Sequence, residues 1–304
     1  MNAGLSRLSA PATSSEALAL QPRLVLTDLD GSLLDHHSYE ASPAKPWLTR
    51  LKQLGIPVIP VTSKTRAEVS PLREALGLTD TPFIAENGAV IGLPQAWCHA
   101  RLDRPGNGTD GLVIKHISVD VGLIRARLNV WRERLGVTFT CMNELSLEEL
   151  KSLTGLDNDG VRLARLREGS EPLIWQDSDT ALESFRAALK GDGLRLLRGG
   201  RFWHVIGLSA DKGNAVEWLI QRFTSLRGRQ PLSMGLGDGP NDISMLEMVD
   251  QAVVIRGCHD LPVEPRTAAL YRTQARGPAG WAEGVSYWWG GDDGGLADAR
   301  AVSA

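Results

Sequence analysis

Leu24-Val25-Leu26-Thr27-Asp28-Leu29-Asp30-Gly31-Ser32-Leu33-Leu34-Asp35 is the stretch on which the reading of this 304-residue chain turns. Leu24, Val25 and Leu26 form a short apolar run, suited to a strand buried on both faces of a parallel sheet. The run stops at Asp28, and Asp30 follows two residues later. On an extended chain, residues two apart project to the same side, so both carboxylates can leave the strand end together. Gly31 allows the sharp turn that must follow. Two adjacent acids are costly to bury unless a cation sits between them, and Mg²⁺ is the hard ion that prefers such oxygen ligands. A carboxylate can also serve as a nucleophile and form an aspartyl-phosphate. Taken alone, the same letters also describe a strand followed by an acidic turn.

Outward from this stretch the pattern alternates. Ser42-Pro43 reads as a helix N-cap, and Trp47, Leu48, Leu51 and Leu54 continue at helical spacing to Gly55. Ile56–Val61 is a β-rich run halting at Thr62-Ser63-Lys64-Thr65. Thr65 and Glu68 have capping-box spacing, which predicts a helix ending near Gly77. Phe83–Ala85 is a third short strand, stopping at Glu86-Asn87-Gly88. Strand–helix–strand alternation of this kind implies parallel pairing, with ligands beyond the carboxyl ends of the strands. From about Gln95 the pattern changes. A turn-rich passage (Pro105, Gly106, Gly108, Gly111) precedes a β-like segment at Leu112–Ile117, a helix over Val121–Leu135 and a capping box at Ser146 and Glu149. A β-like run at Val161–Leu166, a helix over Thr180–Leu189 and β-like runs at Leu194–Leu197 and Phe202–Ile206 complete an α+β insertion. Core patterning returns at Asp211-Lys212-Gly213. It continues through Pro231–Leu236 into Gly237-Asp238-Gly239-Pro240-Asn241-Asp242, a helix to Val249 and a strand at Ala252–Ile255. The Gly/Asp/Ala-rich end beyond Gly284 reads as mobile, although Trp281, Trp288 and Trp289 are suited to packing on the core.

Hydrophobic residues at 42% and charged residues at 23% are ordinary for a globular protein. A net charge of −3 offers no general attraction to nucleic acid or anionic membrane. Cys98, Cys141 and Cys258 show neither zinc nor disulfide spacing, and no stretch approaches the roughly 20 apolar residues of a membrane span. The N-terminal segment lacks the pattern of a signal peptide, so a cytoplasmic location is expected.

Four polar clusters follow the expected strands: Asp28 with Asp30, Thr62 with Ser63, Lys212, and Gly237–Asp242. Singly each has an ordinary reading, as an acidic turn, an N-cap, a surface lysine or an Asx-rich turn. Together and in order they resemble the four motifs of the haloacid dehalogenase superfamily of phosphohydrolases. Ser32 stands where Thr is usual and keeps the hydroxyl. The resemblance implies a Rossmann-like α/β core of parallel strands over 22–95 and 207–284. It also implies an α/β cap over 96–206, of the type inserted between the second and third motifs, with tails at 1–21 and 285–304. It implies Asp28 as nucleophile, Asp30 as acid and base, Thr62 as phosphate-oxygen partner and Lys212 as the neutralising cation. Mg²⁺ would be held by Asp28, Asp30, Asp238 and Asp242, supported by Asn241.

A closer resemblance, to the mannosyl-3-phosphoglycerate phosphatase family, rests on five segments. These are Ser63-Lys64-Thr65 with Glu68, Glu86-Asn87-Gly88, Arg165–Pro172, Gly200-Arg201-Phe202-Trp203-His204 and Gly237–Ile243. It implies Ser63, Lys64, Asn87, Arg165, Arg167, Ser170 and His204 as substrate contacts; Gly169 departs from the Phe usual there. Arg165 and Arg167, two apart on a strand, would share one face, and guanidinium groups bind carboxylate or phosphate in a bidentate manner. The expected partner is a small sugar phosphate. Alternatives are glucosyl-3-phosphoglycerate, sucrose phosphate, a phosphomannomutase activity, or a non-catalytic sugar-phosphate binder.

Overall fold

Leu24, Val25 and Leu26 are wholly buried because their strand, β1 (Arg23–Thr27), lies in the middle of a sheet covered on both faces. The computed structural model describes residues 21–103, 111–258 and 261–290. The tail expected over 1–21, all but Gln21, and the turn residues Pro105, Gly106 and Gly108 lie outside that set, as does 291–304.

From β1 the core runs through α1 (Lys45–Gln53), β2 (Val58–Pro60), α2 (Arg66–Ala75), β3 (Phe83–Ala85), β4 (Val90–Leu93) and β5 (Val113–His116). The cap follows with α3 (Val121–Leu135), β6 (Phe139–Cys141), α4 (Leu147–Thr154) and α5 (Asn158–Ala164). It continues with β7 (Ser170–Trp175), α6 (Asp179–Gly191), β8 (Leu194–Arg198) and β9 (Trp203–Gly207). The chain returns through α7 (Lys212–Arg227), β10 (Leu232–Gly237), α8 (Ile243–Leu246), β11 (Gln251–Arg256), β12 (Leu270–Arg276) and α9 (Gly277–Trp289).

The main sheet has the order β12-β11-β10-β1-β2, with every pairing parallel. A single parallel bridge, Val61 to Ile84, joins β3 beside β2, and β3-β4-β5 then turns antiparallel. Leu24 and Leu26 pack against Val216, Leu219 and Phe223 of α7. Val25 packs on the other face with Leu48 and Leu51 of α1 and Trp281 of α9. All the parallel strands end at one edge, where Asp28, Thr62, Glu86 and Asp238 emerge. The cap is an antiparallel sheet of order β6-β7-β9-β8. Its buried face carries Leu173 and Val205 against Ile124 and Leu128 of α3 and Phe185 of α6.

The fold is α/β with a parallel-sheet core, as the sequence implies; several local readings change. The expected strand at Val161–Leu166 is instead the second half of helix α5, its C-cap Arg165 and the residue after it, because the Asp157 carboxylate caps the helix by accepting from the Gly160 N–H at 2.7 Å. Ser42 opens a short 3₁₀ turn and makes no side-chain cap. The helix expected up to Val249 is only Ile243–Leu246. β5 pairs with β4 and so extends the core sheet, and we propose a cap boundary near Ser118 in place of 96. The end of the described chain packs well beyond Gly284. α9 reaches Trp289, with Val285 and Trp289 buried, because the apolar residues outweigh the glycines around them. Trp281 is fully buried and its indole N–H donates to Thr27 Oγ1 at 2.9 Å, one residue before Asp28.

Trp281→Ala is expected to cost about 3–5 kcal/mol, since a large side chain leaves a cavity that the sheet cannot close. Urea unfolding measures this; a loss below about 1 kcal/mol would make α9 a peripheral element.

Candidate active site

At the edge where the parallel strands end, Lys212 is the residue that the others surround. It opens α7 and is fully buried, with its ammonium 2.6 Å from Asp28 Oδ1 and 2.5 Å from Asp242 Oδ1. Burial alone would weaken its hold on the proton. The Asp242 and Asp28 carboxylates more than reverse this and push its pKa above the ordinary lysine value. Asp28 is shifted the other way. Burial raises its pKa well above the usual carboxylate range, Lys212 opposes that, and the nearby Asp242 and Asp238 add to it. Asp238 is pushed up to about 7, chiefly by burial and then by Asp242.

Glycines permit this crowding. Gly31 sits at φ +79°, and a Cβ there would lie 2.5 Å from Asp238 Oδ2. A Cβ on Gly237 would meet the Asp242 Cβ at 2.5 Å. The Asp242 carboxylate also accepts from the Asp238 and Gly239 N–H groups at 3.1 and 2.9 Å, which closes the loop after β10.

Asp28, Asp238 and Asp242 present oxygens that all lie within 4.8 Å of one another. Three carboxylates stand against one ammonium in a largely buried place; burial first, and then the neighbouring acids, raise the proton affinities of Asp28 and Asp238. An all-oxygen set with such a surplus fits a hard divalent cation. Asp30 does not join the set. Its Oδ2 is 2.9 Å from the Lys64 ammonium, which pulls the carboxylate away from the other three. Its Oδ1 is buried and has no hydrogen-bond partner among the described residues. Lys64 is itself buried, with its proton held more firmly than usual: burial opposes this, while Asp30 and then Glu68 outweigh it.

Above the acids lies a cavity of about 160 Å³ between core and cap. Asp28, Asp30 and Asp238 form its floor, Ser63 and Lys64 one side, and Arg167, Arg201 and His204 its cap side. In β9, Val205 faces the helices of the cap, so His204 points the opposite way, into the cavity. Burial, with Arg167 and Lys212 adding to it, lowers its pKa to about 3, which keeps the imidazole neutral, and its buried Nδ1 has no hydrogen-bond partner among the described residues.

Thr62 is buried behind the cavity wall, its Oγ1 accepting from the Lys64 N–H at 3.2 Å. Asn87 is wholly buried, and its Oδ1 accepts from Asn241 Nδ2 at 3.0 Å. Ser170 is also buried, donating to Glu86 at 2.6 Å. The shared strand face expected for Arg165 and Arg167 is corrected. Arg165 caps α5 and donates to the Asn143 carbonyl at 3.0 Å, outside the cavity, whereas Arg167 lines it. A helix end followed by a turn aims successive arginines apart, which a strand would not.

Arg201, His36 and Tyr39 also line the cavity and were not singled out as site residues from sequence. Arg201 Nη2 and His36 Nε2 lie 3.1 Å apart across the mouth, and Lys64 stands over the Tyr39 ring at 5.0 Å. Arg201 lies inside a quoted motif and was legible; His36 and Tyr39 sit in a loop with no periodic signal.

Comparison with known proteins agrees with this geometry. Residues 25–99 match the family model of the haloacid dehalogenase-like hydrolases. Residues 174–289 match that of sucrose-6F-phosphate phosphohydrolase. Among solved structures, a phosphatase of the haloalkanoate superfamily from Bacteroides thetaiotaomicron, BT1666, has a TM-score of 0.62 at 17% identity, covering 93% of this chain and 99% of that one. A haloacid dehalogenase-like hydrolase from B. subtilis gives 0.58 at 18% identity, covering 87% and 98%. BT4131, described as a subclass IIB sugar phosphatase, gives 0.60 at 15% identity, covering 88% and 98%. The fold is that of the haloacid dehalogenase-like hydrolases, and the segment holding the first two polar clusters carries that family's sequence pattern.

Asp238→Asn is expected to weaken Mg²⁺ binding at least about tenfold, because an amide offers one weaker oxygen in place of a charged pair. Titration calorimetry on the folded variant checks this, and unchanged affinity would remove Asp238 from the ligand set.

Proposed function

We propose that the chain is a phosphatase that hydrolyses mannosyl-3-phosphoglycerate to mannosylglycerate and phosphate. The observation that carries the reading is the division of the cavity. The buried Asp28 carboxylate lies on its floor, and two arginines, Arg167 and Arg201, line it from the cap. The proposed substrate has a matching division, with a phosphate at one end and a glycerate carboxylate further along.

The steps follow from the residues. Lys212, firmly protonated, holds Asp28 through Oδ1 and favours its ionised form against the cost of burial. The other Asp28 oxygen attacks phosphorus, forming an aspartyl-phosphate as the P–O bond to glycerate C3 breaks and the C3 alkoxide of mannosylglycerate leaves. Asp30 protonates that alkoxide and afterwards takes a proton from the water that cleaves the acyl phosphate. Lys64 fixes the Asp30 side chain through Oδ2 at 2.9 Å. A divalent cation at Asp28, Asp238 and Asp242 would supply charge neutralisation for the phosphoryl oxygens, which is most of what phosphoryl transfer asks of a protein. His204, a neutral imidazole lining the cavity, suits a hydrogen bond with a sugar hydroxyl and adds no charge.

A second reading, a sucrose-phosphate phosphatase, is favoured by the match over 174–289. The two substrates differ in the carboxylate, which sucrose phosphate lacks. A third reading is non-catalytic sugar-phosphate binding, which predicts no phosphate release from any ester.

Phosphate release in Mg²⁺ from mannosyl- and glucosyl-3-phosphoglycerate, sucrose phosphate and p-nitrophenyl phosphate tests the reading. The mannosyl compound is expected to have the highest kcat/KM, and Asp28→Asn to abolish turnover on all four with circular dichroism unchanged. A preference for sucrose phosphate would select the second reading. Arg167→Ala and Arg201→Ala should each lower kcat/KM on the phosphoglycerate about ten- to a hundredfold, the worth of a charge-assisted pair, and by under about threefold on the small ester. Equal losses on the two would remove the arginines from carboxylate recognition.

A further inference from the structure

Among the described residues, the turn after β3 joins backbone conformations that side chains rarely adopt to a wholly buried acid. Glu86, Asn87 and Gly88 all have positive φ, at 51°, 55° and 99°. Two successive left-handed non-glycine residues persist only where their surroundings over-determine them. Glycine is required at the third place, since a Cβ on Gly88 would lie 2.1 Å from the Asp211 carbonyl oxygen.

What holds Glu86 comes from the cap. Its carboxylate accepts from the Glu168 N–H at 2.8 Å, the Gly169 N–H at 3.2 Å and the Ser170 hydroxyl at 2.6 Å. Its own N–H donates to the Lys64 carbonyl at 2.8 Å, and the Asn87 N–H to the Thr62 carbonyl at 2.9 Å. The acid therefore stands between the core loop that carries Lys64 and a single turn of the cap. The same cap turn carries Arg167, whose Nη1 donates to the Ser63 carbonyl at 2.7 Å. The turn also lies hard against the core: a Cβ on Gly169 would come to 3.0 Å from the Cβ atoms of both Ala89 and Ser118.

We propose that Glu86 is a positioning residue that latches the cap in its closed place and thereby aims Arg167 into the cavity. An acid with no exposure cannot keep that burial without its donors, and each of its side-chain partners here belongs to the cap. Moving the cap away removes all three hydrogen bonds together and must admit water to Glu86. The latch thus couples hydration of one buried acid to cap position. The activity consequence rests on the proposed function, whereas the structural consequence does not.

The variant Glu86→Gln keeps the shape and replaces one acceptor oxygen by a donor that faces N–H groups. Amide hydrogen exchange of the peptide containing 168–170 is expected to quicken at least about tenfold in the variant. The kcat/KM for mannosyl-3-phosphoglycerate should fall about ten- to a hundredfold, mainly through KM, and that for p-nitrophenyl phosphate by under about threefold. Ser170→Ala, which removes one of the three bonds, should shift both readouts the same way by less, and keeps the test usable if Glu86→Gln folds poorly. Unchanged exchange in both variants would overturn the latch. Faster exchange with equal losses on the two substrates would reduce Glu86 to a general stabiliser and overturn its positioning role. If wild-type protein fails to hydrolyse the phosphoglycerate, the proposed function falls, and the exchange result still decides the latch.

Discussion

A buried ammonium between two carboxylates organises this protein. Lys212 has no exposure to lose, so its charge is tolerable only with Asp28 and Asp242 beside it, and those acids are tolerable only with the lysine. The three come from the start of α7, the end of β1 and the loop after β10. They meet because parallel strands deliver their carboxyl ends to one edge. The approach is close enough to exclude side chains. A Cβ on Gly213 would stand 2.5 Å from the Ser244 carbonyl oxygen, where instead the Gly213 N–H donates to Ser244 Oγ at 3.1 Å.

The core therefore presents an anionic site, and the cap supplies the basic and imidazole groups above it. Arg167, Arg201 and His204 reach the cavity from a turn after α5, the loop between β8 and β9, and β9 itself. Their mutual placement depends on the cap sheet, and their distance from Asp28 on how the cap sits. Glu86, Arg167 and the Glu168–Arg66 pair at 2.8 Å hold one flank of that contact; Arg201 and His36 meet at the mouth. The acidic cluster and the groups that face it are thereby carried by different layers of the molecule.

The core was legible because its signals are local. A buried strand next to Asp28, a capping box at Thr65 and Glu68, and a loop whose glycines alternate with acids all specify their own conformation within a few residues. Such features predicted β1, α2 and the edge where the acids converge. The strand read at Val161–Leu166 went wrong for a local reason too: Asp157 caps a helix, and β-branched Val161 is only one residue in it. The glycines and aspartates beyond Gly284 suggested a loose end, yet Val285 and Trp289 belong to a helix that burial in the core holds in place.

By itself, then, the sequence determined the α/β core, the order of its polar clusters and the identity of the acids and the lysine at its edge. Each of those follows from backbone periodicity and from residues near one another in the chain. Only the tertiary structure decided which groups share the site. It sent Asp30 to Lys64 and out of the carboxylate set, parted Arg165 from Arg167, and set Glu86 against Ser170 across 84 residues of chain. These outcomes depend on side-chain direction and on the docking of one sheet over another. Both are settled by packing and by the cost of leaving a buried charge without a partner, and neither quantity is written in any short stretch of residues.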